Sequence, residues 1–178
     1  MGVEMEQKAK TKNTAQNRFA GKIGWLIGGV VLGIVVFGVS MFMVMPKMML
    51  TVHQSRYDTV EKTCEELTKA ISEEGWNSPR VRKTTESIAK HGENLSREVR
   101  IVELCNEDYA KRVLTDNPEV STLMPCAWGV YEGDDGNVYI SGMNMGLMGK
   151  MFGGTIAEVM GGHVAEDEQE MLSGVIAE

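Results

Sequence analysis

The hydrophobic pattern of the chain begins with one long apolar run and then changes to short alternating segments. Residues 23–45 read IGWLIGGVVLGIVVFGVSMFMVM and carry no charged side chain. As a helix, these 23 residues extend roughly 34 Å at ~1.5 Å per residue, enough to cross a hydrocarbon core of about 30 Å. A cleavable signal peptide has a shorter apolar region before its cleavage site. The run therefore predicts a retained signal anchor, a transmembrane helix that Pro46 and Lys47 terminate.

Residues 48–178 alternate between strand-like and helix-like patterns, which predicts one soluble α+β domain. We expect strands at 47–54, within 76–83 and at 97–105. A first helix has Asp58 as its N-cap, ends at Gly75 and carries apolar residues at helical spacing: Val60, Cys64, Leu67 and Ile71. A short helix capped by Thr84 or Thr85 ends at Gly92. Asn106 caps a further helix with acids in its first turn.

A hairpin follows, in which VSTLMPCAWGVYE and NVYISGMNM flank the turn GDDG. The favoured register places Val130 opposite Ile140, because it gathers one apolar face. That core face holds Met124, Cys126, Trp128, Val130, Val138 and Ile140. The other face, a candidate ligand surface or subunit interface, holds Ala127, Tyr131, Tyr139, Ser141, Met143 and Met145. A register shifted by one residue would instead pair Cys126 with Met143 and gather sulfur atoms.

The chain is rich in methionine, with 14 in total and four between residues 143 and 151. One helical stripe accounts for two of them by packing: Leu147, Met148, Met151, Phe152, Ile156, Val159 and Met160. Met143 and Met145 remain. Thioethers suit Cu(I), and His163 or Cys126 could complete a soft-metal site, but packing or an interface is the favoured interpretation. We therefore predict no metal and no cofactor, with Cu(I) on Met143, Met145 and His163 as the weaker alternative.

The distribution of charge predicts how the segment 23–45 is oriented in the membrane. The formal net charge is −7, whereas residues 1–22 hold five basic and two acidic side chains. More basic residues precede the span than follow it, so we expect a cytoplasmic N-terminus and an extracytoplasmic domain. Residues 1–22 are expected to be a disordered basic tail near anionic lipid. Nucleic-acid binding would need a broader basic surface and is not expected. The acidic tail after His163 is expected to be an amphipathic helix whose charges form a solvated face.

Glycines at four-residue spacing within the span indicate where two membrane helices could pack closely. These are Gly24, Gly28, Gly29 and Gly33.

Three cysteines are the remaining chemical candidates. Cys105 and Cys126 lie on or beside predicted strands, whereas Cys64 belongs to a core face. Inert thiols, a disulfide and a functional redox pair all remain open. The chain has no CxxC, HExxH, phosphate-loop or dinucleotide motif, so no catalytic residue is assigned.

Several segments together carry a family resemblance: VELCNEDYAKRVL, LMPC, GVYEGDDGNVYIS and MGKMFGGTIAEVM. They resemble the family catalogued as domain of unknown function 302, over residues 48–178. The resemblance implies a compact antiparallel sheet with packed helices, similar to a single TATA-binding-protein-like repeat, and implies homodimers. Glu107 departs from the family pattern, in which proline is frequent. No activity is implied.

We therefore expect a single-pass protein of the cytoplasmic membrane that displays one α+β domain on the outer side as a homodimer. The leading hypothesis is a non-enzymatic binding or interaction module of the cell envelope, beside redox, sulfur or metal handling, with a membrane redox partner. The alternatives are a thiol redox protein using Cys105 and Cys126, and a Cu(I)-binding protein.

Overall fold

The computed structural model describes residues 29–30 and 32–177. Residues 29–30 and 32–48 are helical, and Phe37 and Phe42 on this helix are 70% and 81% exposed. Among the described residues, no helix combines the length and apolar character that crossing a bilayer requires. Residues 23–28 and 31 of the predicted span lie outside the described residues, as do the predicted tail 1–22, Gly24 and Gly28. Gly29 and Gly33 have open space around their Cα atoms.

The chain falls into two units that meet at residues 47 and 48, and the second unit carries the sheet. Five antiparallel strands run in the spatial order β1-β5-β4-β3-β2. They are β1 Leu50–Gln54, β2 Val81–Lys83, β3 Val99–Leu104, β4 Cys126–Glu132 and β5 Val138–Met143. The helices are α1 Val60–Glu73, α2 Thr84–Ala89, α3 Glu107–Asp116, a 3-10 helix Pro118–Leu123, α4 Met145–Phe152, α5 Gly154–Glu158, a π-helix Val159–Val164 and α6 Ala165–Ser173. The predicted α+β class with an antiparallel sheet is confirmed.

The favoured hairpin register is confirmed. Val130 lies opposite Ile140, and Tyr131 lies opposite Tyr139. One face of the hairpin is buried, because its apolar side chains enter the core: Cys126, Trp128, Val130, Val138 and Ile140. Hydrophobic consistency between the two strands therefore identified the correct register.

The first predicted helix is confirmed, but its N-cap is not Asp58. Thr59 has an extended backbone, and its hydroxyl oxygen accepts a hydrogen bond from the Lys62 N–H at 3.2 Å. Asn106 caps α3 as predicted, accepting from the N–H groups of Asp108 and Tyr109. Thr85 does not cap α2, since its hydroxyl accepts from the Val99 N–H of β3 at 2.8 Å.

The predicted methionine stripe does not form one continuous helix. Gly153 and Gly154 have φ angles of +73° and +55°, which break the chain between α4 and α5. Met151 and Phe152 are therefore exposed, at 52% and 56%, whereas other members of the stripe are buried: Met148, Ile156, Val159 and Met160. The prediction was correct for these four and wrong for the two residues at the break.

Residues near the end of the chain hydrogen-bond to the segment that follows β1. The Arg56 N–H donates to the Val175 carbonyl at 2.9 Å, and the Ala177 N–H donates to the Gln54 carbonyl at 2.9 Å. Ser55 forms an isolated bridge with Ile176. Residues 54–56 and 175–177 are thus held side by side at one edge of the sheet.

Candidate functional site

The sheet presents one face away from its core, which we call the open face. We define it by the alternate positions of four strands: Leu50, Val52, Ile101, Ala127, Gly129, Tyr131, Tyr139 and Ser141. Leu50 and Val52 are 58% and 52% exposed. The rings of Tyr131 and Tyr139 stack with their centroids 5.9 Å apart. The two tyrosines therefore share the surface on which the sequence placed them.

Charges on this face are paired with each other. The Arg82 Nε lies 2.9 Å from the Glu103 carboxylate, and the Arg80 guanidinium lies 3.4 Å from the same carboxylate. The Tyr139 hydroxyl donates to Asp135 at 2.8 Å. Hydrogen bonds from Asn137 and then Tyr139 lower the pKa of Asp135. The face consequently has an apolar and aromatic strip beside the Glu103 carboxylate, which the two guanidinium groups of Arg80 and Arg82 share.

Met145 does not lie on the open face, which corrects the prediction. Asn144 ends β5, because its side-chain oxygen accepts from the Leu147 N–H at 2.9 Å and so starts α4. Its amide nitrogen also donates to the Met48 carbonyl at 3.1 Å. Met145 is consequently the first residue of α4 and is buried in the core. The strand pattern misassigned it by continuing two residues beyond the end of β5 at Met143.

The two candidate thiols line one narrow apolar crevice. Cys126 lies opposite Leu104, and Cys105 follows Leu104 at the end of β3. The crevice also includes Trp76, Tyr109, Met124 and Met160. All three cysteines of the chain are free, so the structure shows no Cys105–Cys126 disulfide.

The crevice favours the protonated form of both thiols. Burial raises the pKa of Cys126 to about 12, with further contributions from Glu168 and Cys105. Burial and the nearby Glu107 also raise the pKa of Cys105. Burial raises the pKa of Cys64 to about 11. Since the thiolate is the nucleophile and the metal ligand, these groups are poor reagents at neutral pH.

His163 lies apart from the methionines with which the Cu(I) alternative grouped it. Its ring stacks on Tyr109, with centroids 5.7 Å apart and planes 13° apart. Tyr109 meets Trp76 edge to face, and the Trp76 indole N–H donates to Asp167 at 2.9 Å. An aromatic stack thus accounts for the position of His163.

A second concave feature lies on the other side of the sheet, and we call it the inner cleft. Its volume is about 270 Å³. It is bounded by β1, by the junction of β5 and α4, and by α6, and its main lining residues are Thr51, His53, Met143, Met145, Glu168 and Leu172. Met143, the last residue of β5, lies opposite Leu50 of the open face and borders the inner cleft at the end of the strand, next to Met145 and His53. Within residues 29–30 and 32–177, no group of three or more His, Cys, Asp or Glu side chains could hold a metal.

Glu168 is the residue of this cleft that sequence reasoning missed. Its side chain belongs to a residue only 8% exposed, and its Oε1 has no hydrogen-bond partner in the described part of the chain. Burial raises the pKa of Glu168 to about 8, against a smaller lowering by the Trp128 indole. The expectation of a solvated charge is wrong for this residue. The signal was present, since position 168 falls in the apolar stripe of Val164, Met171 and Val175.

Comparison with known proteins identifies the domain. The family model described as Domain of unknown function DUF302 matches residues 51–178. No curated protein matches the chain. The structure is similar to a crystal structure of an uncharacterized conserved DUF302 protein from Bacillus stearothermophilus, with a TM-score of 0.63 and 22% sequence identity. That match covers 71% of this chain and 97% of the other, and at this identity it shows the fold alone. Because the family model spans most of the chain, the protein belongs to the DUF302 family.

Proposed function

We propose that this protein is a membrane-attached interaction module whose open face binds a second copy of the same chain. The observation that carries the proposal is the exposed apolar strip of β1, where Leu50 and Val52 are 58% and 52% exposed. Contiguous exposed apolar surface on a folded domain is typical of interaction sites. Tyrosine, present here as the stacked Tyr131 and Tyr139, is enriched at the centre of interfaces.

The charges of the open face favour a second copy as the partner. In a two-fold symmetric contact, each patch meets the same patch of the other subunit, so an unpaired charge would meet its own like charge. Here Arg82 and Glu103 compensate each other within one subunit. The apolar strip can therefore meet the same strip of a second copy without leaving the Glu103 carboxylate unpaired. The family resemblance, which implies homodimers, favours the same partner.

Membrane attachment through residues 23–45 is the second part of the proposal. Its support is the uncharged run of 23 residues and the exposure of apolar side chains such as Phe37 and Phe42. The five basic residues within 1–22 favour a cytoplasmic N-terminus and an extracytoplasmic domain. Two copies held in one membrane face each other at raised effective concentration, which favours a weak interface.

Catalysis and metal binding have less support than interaction. The thiols of Cys105 and Cys126 are protonated at neutral pH, which disfavours a dithiol redox enzyme. His163 stacks on Tyr109 rather than joining Met143 and Met145. Any role of this module in redox or metal handling is therefore to bind a redox or metal protein of the envelope. Its own residues do not carry out that chemistry.

The test is the oligomeric state of the full-length chain in mild detergent. Light scattering of the wild type should give twice the protein mass of the monomer. Val52→Lys places a charge in the exposed apolar strip of β1, at the edge of the open face, and should shift the dimer to monomer. Ser121→Lys, at an exposed position of the 3-10 helix, is the matched control and should leave the dimer intact. A monomeric wild type, or a dimer unaffected by Val52→Lys, would contradict the proposal.

A further inference from the structure

The inner cleft combines an apolar lining with one buried carboxyl group. Met143, Met145, Leu172 and Ile176 contribute apolar surface, and Glu168 contributes the carboxyl group. Its volume of about 270 Å³ suits a small molecule rather than a peptide. The cleft opens beside Thr51 and His53 of β1, whereas Leu50 and Val52 point to the open face. A ligand in the cleft would therefore leave the proposed interface of the module uncovered.

The carboxyl group of Glu168 is incompletely satisfied. Its Oε1 is buried without a hydrogen-bond donor among the described residues. Buried polar atoms in folded proteins nearly always have a partner, and each exception needs an explanation. A hydrogen bond with the Trp128 indole favours the ionised form of the Glu168 carboxyl group. Oε1 still has no hydrogen-bond partner among the described residues. A donor from outside the chain would complete the site.

We propose that the inner cleft binds a small organic cation, an alkylammonium ion, with Glu168 as its counter-ion. The ammonium group pairs with the Glu168 carboxylate, whose buried Oε1 turns toward the cleft on binding, and the alkyl group lies against the methionine and leucine side chains. A carboxylate in an apolar site interacts strongly with a cation, because little water screens the pair.

The neighbouring groups are compatible with a bound cation. The residues that line the cleft include no lysine or arginine, so no basic side chain of the lining competes for Glu168. His53 is the titratable group of β1 in the cleft, and Gln169 is a neutral neighbour on α6. Cys126 of β4 is affected electrostatically by Glu168 and is itself protonated at neutral pH. Glu168 is thus the acidic group that the lining offers to a cation.

Binding is coupled to the loss of one proton. Near neutral pH the empty cleft holds Glu168 as the neutral acid, since burial raises its pKa to about 8. When the ammonium ion enters, Glu168 releases its proton to solvent and becomes the carboxylate partner. No covalent bond of the ligand changes. Affinity should therefore rise with pH until Glu168 is ionised in the empty protein, and should then level off.

The probe is n-butylammonium chloride, titrated calorimetrically into the full-length protein. With a pKa of about 8 for Glu168, affinity should be roughly 25-fold higher at pH 8.5 than at pH 6.5. 1-Butanol has the same alkyl chain without the charge and should bind at least about tenfold more weakly at pH 8.5. Equal binding of the two probes would overturn the proposal, as would an absence of butylammonium binding at pH 8.5.

Two variants assign the effect to one carboxyl group. Glu168→Gln keeps the shape and removes the charge, so it should lose butylammonium binding by at least about tenfold together with the pH dependence. Glu166→Gln, an exposed position on the same helix, should bind like the wild type. Retained binding in Glu168→Gln would overturn the proposal.

A measurement on the wild type alone keeps the proposal falsifiable if Glu168→Gln fails to fold. Titrations at pH 7 in buffers of different ionisation enthalpy report how many protons are released on binding. We expect nearly one proton for butylammonium and none for 1-butanol. No proton release with butylammonium would overturn the proposal. Binding of Cu(I) that depends on Met143 and His53, together with an absence of butylammonium binding, would likewise overturn the proposal in favour of a metal site.

Discussion

A Cβ atom on Gly149 would lie 2.5 Å from the Cα atom of Gly161, so α4 and the π-helix meet backbone to backbone. The same Cβ position lies 2.7 Å from the Gly161 nitrogen and 3.2 Å from the Ala157 Cα. These are backbone atoms, which cannot rotate away as the end of a flexible side chain can. This contact holds α4 against the π-helix and explains the glycines at positions 149 and 161.

Gly149→Ala should therefore destabilise the protein despite the higher helix propensity of alanine. Overpacking of this kind costs about 1 to 3 kcal/mol, and the backbone location places the expected loss at the upper end of that range. Urea unfolding of the full-length chain, followed by tryptophan fluorescence, measures the free energy of unfolding. Gly162→Ala is the control, because open space surrounds that Cα and no loss is expected. Equal stability of the two variants would show that α4 and the π-helix do not touch as described.

Glu168 should give the stability of the protein a distinctive pH dependence. An unfolded chain releases the proton of this carboxyl near its ordinary pKa of 4.5, whereas burial keeps it in the folded chain up to about pH 8. Between these values the folded state binds one proton more, so the free energy of unfolding falls as pH rises and then levels off above the folded pKa. The rise in pKa corresponds to on the order of 5 kcal/mol across that window.

Thermal melting of the wild type between pH 5 and 9 measures this effect. Glu168→Gln removes the titrating group, so the melting temperature of this variant should depend less on pH. At pH 8.5 its melting temperature should be higher than that of the wild type. Glu166→Gln should keep the wild-type slope, since the residue is exposed. A Glu168→Gln variant with the same slope as the wild type would mean that Glu168 is not the buried acid.

Cysteine reactivity should rank by burial in the native protein. At pH 8, iodoacetamide should modify the half-buried Cys105 first, while Cys64 and Cys126 react at least about tenfold more slowly because their pKa values are near 11 and 12. Mass spectrometry of peptides after timed quenching gives the three rates, and denatured protein provides the fully reactive control. Rapid alkylation of native Cys126, or a Cys105–Cys126 disulfide in unreduced protein, would restore the redox hypothesis.

Attachment to the membrane is tested on isolated membranes, and orientation is tested in intact cells. We expect the full-length chain to stay in the membrane pellet after alkaline carbonate extraction, because the proposed anchor is an uncharged segment of 23 residues. A membrane-impermeant amine reagent should label exposed lysines of the domain such as Lys69 and Lys111, and not Lys8 of the N-terminal segment. Release by carbonate, or labelling of Lys8 alone, would contradict the proposed arrangement.

Patterns with a strong hydrophobic period predicted the domain well. The α1 stripe from Val60 to Ile71 and the pairing of Val130 with Ile140 are both correct, because a slip in either would expose a whole apolar face. The Asn106 cap is also correct, since an amide before two acids matches what the first turn of a helix needs. Each of these features depends on residues close in sequence or on one repeating period.

The inner cleft depended on contacts that no local pattern records. The strand pattern predicted Met145 in β5, but Met145 lies in α4 because the Asn144 side chain accepts a hydrogen bond from the Leu147 N–H. An alternating strand pattern contains no information about such a helix cap. Glu168 is buried because β1, β5 and α6 converge; its place in the apolar stripe of Val164, Met171 and Val175 indicated an inward side chain, whereas the acidic run EDEQE around it indicated a solvated one. His53 lines the same cleft, although it lies far from Glu168 in the sequence. Burial of a single polar residue is decided by the elements around it, which only the tertiary structure shows.

The side-by-side arrangement of residues 54–56 and 175–177 sets an order for folding during synthesis. Thr51 bonds to Gly142 across 91 positions, and Arg56 reaches Ile176 across 120 positions. β1 therefore leaves the ribosome well before β5, and residues 175–177 come later still. Such distant pairings slow folding, because loop closure precedes their stabilising contacts. During that interval the backbone groups of β1 that later pair with β5 lack their partners.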